Sequence, residues 1–114
     1  MSEADRLTEK KCVPCEGGTA PLERDRIDTL LPQIPGWQVN DAATMIYRRF
    51  EFKGFYKTMA FINAMAWVAN QENHHPDFEA GYNYCRINFT THAIDGLSEN
   101  DFICAAKINA LLDD

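Results

Sequence analysis

The chain has 114 residues, a formal net charge of −6 and 46% hydrophobic residues. That length suits one hydrophobic core, and the apolar content exceeds what a disordered chain carries. The acidic balance argues against nucleic acid and anionic membrane surfaces as partners, and no run of about 18 apolar residues exists to cross a bilayer.

Residues 1–20 read as a flexible N-terminal lead-in. The stretch MSEADRLTEKK is polar, lacks the apolar core of a secretory signal, and is followed by Gly17 and Gly18. It leads into a CxxC, Cys12-Val-Pro-Cys15, while Cys85 and Cys104 fall on the apolar faces of later elements. Without a signal segment, these cysteines are expected as free thiols in a reducing, cytoplasmic setting.

Residues 21–114 read as a single domain. Leu22, Ile27, Leu30 and Leu31 share one helical face, with Thr19 as a candidate cap and Pro21 in the first turn. Pro32, Pro35 and Gly36 end this helix. Trp37 and Val39, a turn at Asn40-Asp41-Ala42, and the alternation of Ile46, Arg48, Phe50 and Phe52 with Tyr47, Arg49 and Glu51 predict a hairpin. Arg48 and Arg49 are expected in solvent. Phe55, Met59, Ile62, Met65, Ala66 and Ala69 recur at helical spacing, and Pro76 is expected to stop that helix. Residues 78–92 predict a second hairpin, with His92 at a strand end. Ser98, with Asp101 where a capping box places its acidic partner, opens a last helix. The order α-β-β-α-β-β-α predicts an α+β fold, a four-stranded antiparallel sheet with helices packed on one face.

The three histidines are His74, His75 and His92. Histidine titrates nearest neutral pH and so suits general acid and base work. Adjacent His74 and His75 diverge on a helix and do not form the i, i+4 pair that zinc favours. Beside Pro76 they could flank one small molecule, with His92 as a third group. From these residues alone, a solvent-facing polar patch is the competing reading.

The segment from Gly36 onward resembles the pterin-4a-carbinolamine dehydratase family. The resemblance rests on His74-His75-Pro76, Tyr82, His92 and Asp101 at matching spacings. It extends to the stretches GWQV, FEFKGF, NHHPDF and TTHAIDGLSENDF. The segment CVPCEGG followed by PL is similar to bacterial members. The family resemblance implies a hydro-lyase that dehydrates 4a-hydroxytetrahydropterin to the quinonoid dihydropterin, supporting tetrahydrobiopterin recycling, with no metal and no cofactor. It implies His74 as the principal acid/base group, His92 assisting, and His75 binding or polarising the substrate. Asn73 and the Thr90-Thr91 backbone would hold the pterin, with Asn70 and Asp101 as further substrate-binding candidates. Asp101 would orient His92 or serve its helix N-terminus. Partners implied are the pterin, further copies of the chain as a homodimer or homotetramer, and a functional link to an aromatic amino acid hydroxylase.

One position departs from the family pattern. Asn70 stands four residues before His74, where many members carry an acidic residue able to support the imidazole. Asparagine can hydrogen bond there but brings no charge. Two other functions remain open on sequence: a non-enzymatic interaction or assembly protein of the same fold, and a metal-binding module built from the CxxC and histidines.

Overall fold

The computed structural model describes residues 6–14 and 19–112. Helix α1 (Arg24–Leu30) runs into a 3-10 turn at Leu31–Gln33, followed by β1 (Gln38–Val39) and β2 (Ile46–Glu51). Then come α2 (Phe55–Glu72), β3 (Asp77–Ala80), β4 (Tyr84–Phe89) and α3 (Glu99–Ala110). The sheet order is β1-β2-β4-β3 and each neighbouring pair is antiparallel. This is the α+β arrangement that the hydrophobic patterning predicts.

Strand alternation decides which face is covered. Ile46 and Phe50 on β2, with Cys85, Ile87 and Phe89 on β4, are buried against the helices. Tyr47, Arg49, Arg86 and Asn88 take the opposite parity. Trp37 packs on Phe50 and Phe89 with ring centroids 6.0 and 5.9 Å apart, and Phe50 packs on Phe61 at 4.7 Å. Such pairs each add about 0.5–1.5 kcal/mol beyond area burial. Among the described residues, no helix is long and apolar enough to cross a membrane.

Local chemistry sets the connections. The Asn40 side-chain carbonyl accepts the backbone N–H groups of Thr44 and Met45 at 2.8 and 3.1 Å, closing the β1–β2 turn. The Asp101 carboxyl accepts the Ser98 backbone N–H at 3.0 Å, so the capping box at the start of α3 forms despite the short aspartate. Residues 21–22 do not join α1. The Leu22 N–H donates to Leu97 O at 2.8 Å and Gly96 lies close against the Pro21 ring. That contact holds the segment extended, so α1 begins after Glu23, and Thr19 does not cap it.

Arg48 also differs from expectation. It shares the inward parity of Phe50, its guanidinium lies over the Phe50 ring at 4.4 Å, and Nη1 donates to Asn109 Oδ1 and Pro35 O. It ties β2 to the end of α3 and is not a solvated charge. Trp37 is a core residue whose indole N–H donates to the same Asn109 oxygen at 2.8 Å.

Part of the expected lead-in is docked. Leu7 is buried in the core, and its N–H donates to Gln33 Oε1 at 3.1 Å. From the 3-10 turn at Leu7–Glu9 the chain follows α3, where Lys10 pairs with Glu99 and the Val13 backbone meets the Asn100 amide. Residues 7–14 therefore form a strap across one end of the fold. Cys15 lies outside the described residues.

Candidate active site

The C-terminal end of α2 places the first two histidines. Asn73 adopts the left-handed conformation at φ 52°, and the His74 N–H donates back to Ala69 O at 3.1 Å. Asparagine is one of the few side chains that enters this region readily, and the pattern is a glycine-type helix stop. The helix thus ends at Glu72 because of Asn73. Pro76, expected as the terminator, lies beyond the stop and precedes β3. The reversal at Asn73 turns His74 inward, while His75 is exposed.

His74 rests on a buried polar chain. Its Nε2 is 2.6 Å from Asp101 Oδ1, and its ring stacks on Phe89 at 5.7 Å with planes 7° apart. Asp101 is fully buried. Its other oxygen accepts the Thr91 hydroxyl at 2.7 Å and the Ser98 N–H at 3.0 Å. Thr91 has only one hydroxyl proton, so at its 2.7 Å contact with Ser98 the serine donates. Each member of this chain has a partner, which removes the penalty of burying it. The Asp101 acceptor also fixes the imidazole: Nε2 carries the proton and Nδ1 is left for other work.

Above this floor opens a cavity of about 470 Å³. His74, His75, His92, Asn73, Thr90 and Thr91 all line it. His92 begins a 3-10 turn at His92–Ile94 and is not a strand end, since β4 stops at Phe89. The Thr90 hydroxyl is used inside the protein, donating to Thr44 O at 2.6 Å. Two expected substrate-binding residues do not reach the cavity. Asn70 sits on the exposed side of α2, and Asp101 lies beneath His74, reaching the cavity only through His74 and Thr91. Of the two roles open for Asp101 on sequence, serving the start of α3 is present in the capping box, while the imidazole it meets is that of His74 and not His92.

The sequence reading misses part of the wall. Cys12, Val13 and Pro14 of the strap, together with Glu72 and Asn100, also line the cavity. Burial pushes the Glu72 carboxyl up, but the Lys107 hydrogen bond, the Cys12 N–H and the Lys107 charge together hold it below its ordinary value of 4.5. The Cys12 and Cys104 sulfurs are 3.6 Å apart. That hydrogen bond, burial, and the nearby Glu72 and Asp101 charges push the Cys104 thiol far up. Among the described residues, no group of three or more His, Cys, Asp or Glu is placed to hold a metal ion.

The family profile described as Pterin 4 alpha carbinolamine dehydratase matches residues 20–111. The chain belongs to that family. A protein of Nitrosomonas eutropha with the provisional name pterin-4-alpha-carbinolamine dehydratase is 58% identical over 113 residues, covering 98% of each chain. Among solved structures, a transcriptional coactivator/pterin dehydratase from Brucella melitensis is similar with a TM-score of 0.77 and 31% identity. The match covers 82% of this chain and 99% of that one. Another is a pterin dehydratase-like protein identified as a RuBisCO assembly factor in the alpha-carboxysome. It has a TM-score of 0.60 and 26% identity, covering 69% of this chain and 92% of that one.

Proposed function

We propose that this protein is a hydro-lyase that converts a 4a-hydroxytetrahydropterin to the quinonoid dihydropterin by histidine acid/base catalysis. The observation that carries this reading is the 2.6 Å His74–Asp101 pair on the floor of a cavity that His75 and His92 flank. The reaction removes a proton from a ring nitrogen and a hydroxide from C4a, so it needs one base and one acid and no redox group. With Nε2–H held by Asp101, His74 Nδ1 has the lone pair to take the ring proton. The imidazolium that forms is stabilised by the buried carboxyl. His92 protonates the departing hydroxyl, which leaves as water, and His75 hydrogen bonds to the substrate. Both histidines return to their starting states by proton exchange with solvent. Asp101 is a positioning residue in this scheme.

A purely scaffolding role would not require a buried carboxyl–imidazole pair facing a cavity, which favours the enzyme over the assembly reading. The exposed Phe55, Tyr56, Met59 and Trp67 on α2, and Phe78 on the edge strand β3, support association of copies as a homodimer or homotetramer. We place the enzyme in the cytoplasm, recycling tetrahydrobiopterin for an aromatic amino acid hydroxylase. Stopped-flow measurement of carbinolamine dehydration tests the site. His74→Ala and His92→Ala are expected to be slower than wild type, and unchanged rates in both would refute it.

A further inference from the structure

The strap reaches the cavity but lies outside the matched family profile, which begins at residue 20. Its attachment is specific. The side-chain amide of Asn100 receives the Val13 N–H at 3.0 Å on Oδ1, and Nδ2 donates to the Val13 carbonyl, so one side chain grips both polar groups of one residue. Asn100 is itself buried, 5% exposed. One residue earlier, the Cys12 N–H donates at 2.8 Å to Glu72, two positions before His74. The strap is thereby registered against both the start of α3 and the end of α2. Its Val13 and Pro14 side chains stay exposed beside the cavity.

We infer that Val13 and Pro14 form a substrate-contacting wall of the pterin site, and that Asn100 is the positioning residue that sets this wall. The inference rests on the dehydratase reading. Because the Val13 backbone is fully used by Asn100, the strap presents apolar side-chain surface and no free polar group at that residue. A flat, conjugated pterin can gain contact area from such a wall but no proton transfer. The contact is the same before and during loss of water. It therefore lowers KM without raising kcat, the signature of uniform binding.

The test uses the full chain in steady-state dehydration of a 4a-hydroxytetrahydropterin. Asn100→Ala, which loses both bonds, is expected to raise KM about tenfold with kcat within about twofold of wild type. Asn100→Asp keeps the acceptor for the Val13 N–H but sets a carboxylate oxygen against the Val13 carbonyl, and is also expected to raise KM with little change in kcat. Val13→Ser removes apolar surface without touching the clamp and is expected to raise KM severalfold, so the proposal stays testable if Asn100→Ala folds poorly. An active wild type with unchanged KM in Val13→Ser and Asn100→Asp would overturn the wall. So would loss confined to kcat. Absence of dehydration by wild type would instead overturn the functional reading itself, and the two failures are distinguishable.

Discussion

The floor and the rim of the cavity are built from the same residue type but treated differently. On the floor, His74 is held by Asp101 and Phe89, and behind it Thr91 and Ser98 complete a closed set of hydrogen bonds. On the rim, His75 and His92 are exposed. Adjacent His74 and His75 are separated in role only by the reversal at Asn73. The difference teaches that orientation, and not the mere presence of imidazoles, concentrates the chemistry at one position. Proton transfer by a prepositioned group gains most where rotamer and tautomer are already fixed.

The largest test of that contrast is His74→Ala, expected to lower kcat by about 10²–10⁴-fold, the usual worth of a positioned acid or base. Asp101→Asn comes next. It leaves the shape but loses the charged acceptor, and is expected to cost about 10- to 100-fold in kcat. It also weakens the cap of α3, so a thermal melt should accompany the rate. His92→Ala is expected to cost less than His74→Ala, because a rim group can be replaced in part by water. Equal losses for His74→Ala and His92→Ala in stopped-flow rates would erase the distinction between floor and rim.

A smaller effect concerns pH. Glu72 joins the strap to Lys107 beside the site, and its folded value lies below the ordinary 4.5. A depressed carboxyl stabilises the fold above its unfolded value, and that contribution is lost as pH falls through the lower folded value. Stability should therefore fall with acid below about pH 4.5, and Glu72→Gln should flatten that limb in denaturant melts across pH 3–6. Thiol labelling gives the smallest signal. Burial pushes Cys85 up to about 11, and Cys104 is raised further, so both should resist iodoacetamide at about pH 8 until the protein unfolds. Half-buried Cys12 should react before either of them, as peptide mapping would show.

Much of the fold is legible because its signals are local. The recurrence of Phe55, Met59, Ile62, Met65, Ala66 and Ala69 marks α2 as a helix, and Ser98 with Asp101 marks the start of α3. The buried face of α2 is nonetheless Thr58, Phe61, Met65, Val68 and Ala69, with Phe55, Met59 and Ala66 exposed, because which side of the helix meets the sheet is set across the fold. The stop at Asn73 carried a signal too, since asparagine favours that conformation, but the nearby Pro76 was the louder breaker. What sequence spacing cannot carry is a contact made across the fold. His74 and Asp101 are 27 positions apart, and nothing in either segment says that α3 will bring its first turn under the end of α2. The same holds for Asn100 and Val13, 87 positions apart. Asn70 illustrates the cost of local reasoning. A carboxylate was expected one turn before His74 to support it; the support comes from Asp101 on another helix.

The central claim is that His74 and Asp101 act as one unit. A double-mutant cycle on the stopped-flow dehydration rate tests it most directly, with His74→Ala, Asp101→Asn and the double variant compared with wild type. If Asp101 works by orienting and charging His74, its loss costs nothing further once the imidazole is gone, and the double variant matches His74→Ala. If the two losses multiply, Asp101 acts independently of His74, and the account of the floor is wrong.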